Sequence, residues 1–89
     1  MLEVNYATQF KKDFKKVRKL PLPDLKSLFD IIFTLENEQP LHIKYKDHEL
    51  TGDWSGFREC HIKPDWLLIY KIKNRQLILT RLGSHSELF

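Results

Sequence analysis

HELTGDWSGFRECHIKPDWLLIY, residues 48–70, is the stretch that decides the fold. Gly52-Asp53 and Lys63-Pro64-Asp65-Trp66 are turn signals, because glycine adopts positive φ freely and proline presets φ at the second position of a turn. Around these turns the pattern predicts short strands at residues 49–51 and 57–62. Strands joined by tight turns pair as antiparallel hairpins, so the stretch predicts a small antiparallel sheet.

The residues after this stretch continue the sheet. Residues 66–73 are the most apolar segment and predict a central strand, and residues 76–82 predict the last strand. Asn74 lies between them, and asparagine tolerates the positive φ of a tight turn. Gly83 interrupts the strand pattern, so residues 84–89 are expected to form a short tail.

The N-terminal half predicts a short strand and two helices. Apolar and polar side chains alternate over residues 2–6, which is the period of a strand. Thr8 can cap the first helix, and Pro21 and Pro23 end it because proline has no backbone N–H to donate. The second helix is expected to start near Pro23 and to end before Pro40.

Apolar side chains at helical spacing predict the faces that pack on the sheet. They are Phe10, Phe14 and Val17 on the first helix and Leu25, Leu28, Phe29, Ile31, Ile32, Phe33 and Leu35 on the second. The predicted fold class is α+β: a small antiparallel (partly mixed) β-sheet packed against an N-terminal helical hairpin, in the order β-α-α-β-β-β-β. Residues 1–89 are expected to form a single domain, with the second sheet face left for function.

The first helix carries a basic arc. Its members are Lys11, Lys12, Lys15, Lys16, Arg18 and Lys19. This arc is either an ordinary solvated face or an electrostatic footprint for a phosphate backbone. The formal net charge of +3 favours an anionic partner without identifying it.

Composition indicates a cytoplasmic protein. Cys60 is the only cysteine, so an intramolecular disulfide is impossible and the residue is interpreted as a small hydrophobic side chain in a strand. The first residues lack the pattern of a secretory signal. The longest apolar run, residues 66–70, is far shorter than the roughly 20 residues that span a bilayer, so no membrane association is expected.

Titratable side chains are concentrated in the quoted stretch and the tail. Imidazole has an unperturbed pKa of about 6.5, so several histidines can divide acid and base roles. RNA cleavage needs this division: a base takes the 2′-hydroxyl proton, the oxygen attacks phosphorus, and an acid protonates the departing 5′-oxygen. We therefore predict a catalytic set that handles RNA phosphate, consisting of His48, His61, Asp65 and His85.

A second set is predicted to bind RNA. Arg58 and Arg81 would stabilise charge on phosphoryl oxygens, since guanidinium binds phosphate in a bidentate way. Trp66 and Phe89 would stack on bases, and Lys46 lies in a basic, irregular segment just before the catalytic set.

Each prediction has a structural alternative. Asp65 suits a turn, Trp66 suits the core, and Phe89 could pack back on the sheet. Both arginines could be ordinary surface charges. A metal site is also possible, but the chain has no His-x-x-x-His pair and no paired-cysteine motif, so chemistry without a metal or other cofactor is favoured.

Four motifs carry a resemblance to a known family. They are Tyr45-Lys46-Asp47-His48, Leu50-x-Gly52-x-Trp54-x-Gly56-x-Arg58, His61-x-x-Pro64-Asp65-Trp66-x-Leu68-Ile69-Tyr70 and Arg81-x-Gly83-x-His85-x-x-Leu88-Phe89. In order and spacing they resemble YafQ-type toxins of the RelE/ParE superfamily of bacterial toxin–antitoxin systems. The N-terminal half agrees in general pattern.

The resemblance implies a RelE-like fold and a metal-independent endoribonuclease of a type II toxin–antitoxin system. It implies mRNA and the ribosome as partners, and a cognate antitoxin whose acidic segment wraps the basic toxin. It also implies catalytic roles for the four predicted acid–base residues. Our own hypothesis is that Asp65 and His85 lie nearest the scissile bond, with His48 and His61 flanking it.

Two alternatives differ in class from this nuclease. One is a non-catalytic module that binds RNA or protein through the basic helix, and the other is a gyrase-inhibiting ParE-like toxin of the same fold. The complete histidine and aspartate set favours the nuclease, and the sequence leaves open which histidine is the base.

Overall fold

Residues 1–17 and 19–89 are described by the computed structural model, and they form a five-stranded sheet and three α-helices. The strands are β1 Glu3–Tyr6, β2 His48–Glu49, β3 Arg58–Lys63, β4 Trp66–Lys73 and β5 Gln76–Gly83. The helices are α1 Thr8–Val17, α2 Leu22–Glu36 and α3 His85–Leu88, and 3₁₀ turns occupy Ile43–Tyr45 and Gly52–Trp54. Arg18 of the predicted basic arc lies outside the described residues. Within those residues, no helix is both long enough and apolar enough to cross a membrane.

The sheet has the strand order β1-β5-β4-β3-β2. Neighbours from β2 to β5 are antiparallel, whereas β1 pairs with β5 in parallel. This topology confirms the α+β class, the partly mixed sheet and the predicted element order. Asn74 and Arg75 have φ values of 52° and 61°, the left-handed backbone of a two-residue hairpin turn. β2 begins one residue earlier than predicted and is shorter.

The main core lies between the sheet and the helical hairpin of α1 and α2. Successive strand residues point to opposite faces, so the even-numbered residues of β4 point into this core. These residues are Trp66, Leu68 and Tyr70. Leu67 and Ile69 point to the second face, where Leu88 of α3 packs on them. Cys60 is fully buried, and burial raises the pKa of its thiol, so the residue acts as a small hydrophobic side chain.

The buried face of α2 is narrower than predicted. Leu28, Ile31 and Leu35 are buried, at the spacing i, i+3 and i+7. Phe29 and Phe33 were wrongly assigned to this face, because they are 52% and 66% exposed. At about 100° per residue, both side chains turn away from the stripe that contacts the sheet.

The tail is helical rather than irregular. The Ser84 hydroxyl accepts a hydrogen bond from the Glu87 N–H, and the Glu87 carboxylate accepts one from the Ser84 N–H. This reciprocal capping box starts α3, and the bonds from Ser84 lower the pKa of Glu87. Leu88 is buried on the second sheet face, so α3 fixes the positions of His85 and Phe89 relative to the sheet.

Asp13 joins α1 to the end of β5. The register of β1 with β5 ends at Leu79, so the Leu82 N–H lies beyond β1, and it donates to Asp13 at 3.0 Å. The Arg81 guanidinium donates to the same carboxylate, at 2.9 Å from Nε and 3.4 Å from Nη2. Beyond the end of the edge strand β1, the buried Asp13 carboxylate therefore accepts the backbone hydrogen bond of β5 that β1 does not reach.

Candidate functional site

Three histidines meet on the second face of the sheet. His48 lies on β2, His61 lies on β3 opposite Leu67, and His85 begins α3. The ring centroids of His48 and His61 are 6.2 Å apart, and those of His61 and His85 are 6.1 Å apart. The structure thus brings together the three histidines of the predicted catalytic set.

Glu59 is a buried carboxylate between two of these rings, and it was not among the predicted site residues. Its side chain is 4% exposed, and its Oε1 lies 3.2 Å from Nε2 of His61 and 3.6 Å from Nε2 of His48. A signal was available: Glu59 and His61 are two residues apart on one strand and therefore share a face. A carboxylate buried among strand residues is rarely without a partner.

Backbone carbonyl groups orient both rings. Nδ1 of His48 lies 2.6 Å from the carbonyl oxygen of Lys46, and Nδ1 of His61 lies 3.3 Å from that of Pro64. A carbonyl oxygen only accepts hydrogen bonds, so each Nδ1 carries a hydrogen. Each Nε2 then faces the Glu59 carboxylate, which can accept a hydrogen bond from a ring that carries a hydrogen on this nitrogen.

Asp65 holds His85 at the start of α3. Its Oδ1 accepts a hydrogen bond from the backbone N–H of His85 at 3.0 Å and lies 3.6 Å from the ring Nδ1. Both side chains are largely exposed. Asp65 therefore positions His85 through the backbone and places a carboxylate beside its ring.

The aromatic surface beside the histidines consists of Phe89 and Trp54. The Phe89 ring is 58% exposed, and its centroid lies 5.7 Å from that of His85 and 6.1 Å from that of Trp54. The predicted stacking role of Trp66 is corrected, because this residue is 9% exposed in the helix-side core and offers no ring face to a base. Its indole N–H has no hydrogen-bond partner among the described residues.

Arg58 lies on the helix-side face, away from the histidine rings. Its register partners are Glu49 of β2 and Tyr70 of β4. The guanidinium donates to Asp47 at 3.3 and 3.4 Å, and the Tyr70 hydroxyl donates to the same carboxylate at 2.5 Å. Burial raises the pKa of Tyr70, so its hydroxyl remains a donor. This geometry does not support the prediction that Arg58 joins the histidines as a phosphate ligand.

The other two predicted RNA-binding cations, Arg81 and Lys46, differ in whether their charge is paired within the chain. Arg81 is paired with Asp13, so its charge is already neutralised within the chain. Lys46 is exposed and lines a cleft together with His61. Lys46 is therefore the predicted cation that remains accessible next to the histidines.

His48, Glu59 and His61 also have the geometry of a metal site. One ligand atom from each residue lies within 4.8 Å of the other two. Imidazole nitrogen and carboxylate oxygen are ligands of Zn²⁺ and Cu²⁺, so the donor set fits a transition-metal ion. Such an ion would occupy the nitrogens that proton transfer needs. Metal-free chemistry stays a prediction.

Comparisons with known proteins extend these observations. The family described as "Bacterial toxin of type II toxin-antitoxin system, YafQ" matches residues 2–89. The chain is similar to the "mRNA interferase toxin YafQ" of Escherichia coli K12, with 38% identity over 87 residues that cover 98% of this chain and 95% of the relative.

Solved structures show the same similarity. A metal-bound toxin from Helicobacter pylori is 52% identical, with a TM-score of 0.91 and 100% of both chains covered. A chain of the E. coli DinJ-YafQ complex is 38% identical, with a TM-score of 0.82 and coverage of 100% of this chain and 99% of that chain.

Proposed function

The chain belongs to the YafQ family of bacterial type II toxins, and from this membership we propose that it is an endoribonuclease that cleaves mRNA. The resemblance carried by the four sequence motifs is confirmed as a family assignment. The observation that carries the proposal is the convergence of His48 and His61 on the buried carboxylate of Glu59, with the ring of His85 beside that of His61. Several imidazoles beside one carboxylate supply the acid and base that RNA cleavage requires.

In the proposed reaction the scissile phosphate lies between His61 and His85, whose ring centroids are 6.1 Å apart. A neutral imidazole takes the 2′-hydroxyl proton, and the oxygen attacks phosphorus. The bond from phosphorus to the 5′-oxygen breaks, and an imidazolium protonates that oxygen. The products are a 2′,3′-cyclic phosphate and a 5′-hydroxyl group, so the nucleophile comes from the RNA itself. Glu59 stabilises the protonated ring of His61, and Asp65 positions His85.

Cleavage on the ribosome is part of the proposal. Arg58 and Arg81, the two arginines predicted to bind phosphate, are each paired with a carboxylate of the chain and are not free to align an RNA strand. A ribosome that holds mRNA in a fixed geometry would supply the positioning that this small chain lacks. Because mRNA is translated in the cytoplasm, we propose that the toxin acts there.

The proposed function is tested by mapping RNA 5′ ends in a translating bacterial extract. We expect wild-type protein to produce new 5′-hydroxyl ends within translated frames, and His85→Ala to produce none. A chelator selective for transition metals, which spares the Mg²⁺ of the ribosome, is expected to leave cleavage unchanged. The protein is also expressed in bacterial cells: growth arrest with intact mRNA would contradict the proposal and indicate a gyrase-type target, and a folded protein that does not arrest growth would indicate a binding module.

We also propose that residues 1–89 act as one domain with an antitoxin as partner. The helices α1 and α3 pack on β5, and α2 packs on β3 of the same sheet. On the outer side, a groove of about 400 Å³ is lined mainly by aromatic side chains of β1, α1 and α2. The exposed lysines of α1 flank it, so the surface complements an amphipathic acidic segment.

Charge reversal on α1 is expected to weaken antitoxin binding. The double variant Lys12→Glu/Lys15→Glu should lower affinity for the antitoxin roughly tenfold at low salt, and less at high salt, because exposed charges are screened. Lys73→Glu at the far end of β4 is the matched control. Equal affinities for wild type and the α1 variant, measured by calorimetric titration, would place the antitoxin elsewhere.

A further inference from the structure

A cleft of about 350 Å³ opens directly beside the histidines. It lies between α2, the 3₁₀ turn Ile43–Tyr45 and the turn from β3 to β4. Its lining residues are Ser27, Lys44, Tyr45, Lys46, His61, Ile62, Lys63 and Pro64. The volume is within the range of small-ligand sites, and three of the lining side chains are lysines.

The positive charge of the cleft is largely unneutralised. Lys63 lies 3.2 Å from Asp24 and is paired. Lys44 and Lys46 are exposed, and among residues 1–17 and 19–89 neither forms an ion pair with a carboxylate. The cleft therefore offers two ammonium groups that have no carboxylate partner among the described residues, in contrast to the two arginines. The ammonium of Lys44 lies 5.1 Å from the centroid of the Tyr45 ring.

The turn that carries these lysines is ordered by its own hydrogen bonds. The Lys44 N–H donates to Nδ1 of His42 at 3.0 Å, and the Lys46 N–H donates to the carbonyl of Ile43 at 3.0 Å. Lys46 has a φ of 51° and ends the turn in the left-handed conformation. Tyr45 packs against the main core, which anchors the turn to the sheet.

The cleft and the histidine cluster share their walls. The carbonyl of Lys46 accepts the hydrogen bond that orients His48, and the carbonyl of Pro64 accepts the one that orients His61. His61 itself lines the cleft. An RNA strand with its scissile phosphate at His61 would therefore place a neighbouring phosphate at the mouth of the cleft.

We propose that this cleft is a subsite for single-stranded RNA, in which Lys44 and Lys46 bind the phosphate next to the cleaved bond. The inference rests on the proposed function for the identity of its ligand. It assigns Lys44 a binding role and gives Lys46 a specific phosphate partner. Because ammonium groups act as point charges, the subsite favours RNA by charge and not by base sequence.

The test measures binding separately from cleavage. A short 2′-O-methyl oligoribonucleotide lacks the nucleophile and stays intact, and its dissociation constant is measured by fluorescence anisotropy over a range of salt concentrations. We expect Lys44→Ala and Lys46→Ala each to weaken binding about fivefold. Each should also make the slope of log K against log salt less negative, and the double variant should do so by about 0.7, the value for one phosphate contact of a single strand. Lys73→Ala is the matched control and should match wild type.

A second oligonucleotide locates the contact. Its linkage beside the cleavage position is a methylphosphonate, which removes one negative charge, and on this ligand Lys44→Ala should have no further effect. Wild-type affinity and salt slope in both lysine variants would overturn the subsite, even if wild-type protein cleaves mRNA. Loss of binding in the variants, with no cleavage by wild type, would leave the subsite standing and contradict the nuclease instead.

Discussion

His61→Ala is expected to lower the rate of mRNA cleavage by roughly 10²- to 10⁴-fold, the usual contribution of a general acid or base. His61 is the central ring of the cluster, with His48 on one side and His85 on the other. Its Nδ1 is held by a backbone carbonyl and its Nε2 faces Glu59 at 3.2 Å. Substitution removes the proton carrier and leaves the Glu59 carboxylate without its nearest partner.

The measurement is the single-turnover rate on mRNA in a translating extract, at equal concentrations of folded protein. Lys73→Ala is the control, because Lys73 lies at the far end of β4, outside the cluster and the cleft, and it should stay within a fewfold of wild type. Glu59→Gln keeps the shape of the side chain and removes its charge, so it should be slower than wild type and have an altered pH profile. A folded His61→Ala protein with the wild-type rate would remove His61 from the proposed mechanism.

Asp13→Ala is expected to lower the free energy of unfolding by about 2–3 kcal/mol. Removing one partner of a fully buried ion pair costs about 3–5 kcal/mol. The cost expected for Asp13→Ala is smaller, because Arg81 is only partly buried and water reaches its side chain. The Asp13 carboxylate accepts hydrogen bonds from Arg81 and from the Leu82 N–H, and it is 4% exposed. The substitution leaves both donors without this acceptor at the end of β5.

Urea denaturation checks this expectation, with Asp30→Ala as the control. Asp30 pairs with Lys26 on the exposed side of α2 and should contribute about 0–0.5 kcal/mol. Equal unfolding midpoints for Asp13→Ala and wild type would show that the bridge from α1 to β5 contributes nothing.

The same carboxylate makes stability depend on acid pH. Burial alone would raise the pKa of Asp13, but the hydrogen bonds from Arg81, Leu82 and Gln9 outweigh it and hold the pKa below its ordinary value of 3.8. A folded pKa below the unfolded one gives stability that is present above pH 3.8 and is lost as the pH falls through the folded pKa. Asp13→Ala should lack this part of the acid dependence.

The sequence by itself determined the order of the elements and the identity of the family. The strand of residues 66–73 was predicted with its observed bounds, because a run of apolar side chains between two turn signals is a local pattern. The start of α1 near Thr8 and the positive φ at Asn74 were also local decisions, although Thr8 is the first residue of the helix and was predicted as its cap. The histidine set was found because the residue types and their spacing carried the resemblance.

Tertiary structure decided what each of these side chains faces. The helices α1 and α2 cover the face of β4 that carries Trp66, so Trp54 and not Trp66 lies beside the terminal Phe89. Alternation along a strand shows which residues share a face, but not which of the two faces the helices cover. The partner of Arg81 is Asp13, 68 positions earlier in the chain, and no local pattern predicts a contact at that distance. Alternation along one strand places Glu59 on the same face as His61, but only the pairing of β2 with β3 placed His48 beside the same carboxylate. Local propensity thus set the elements, and long-range packing selected the residues that form the site.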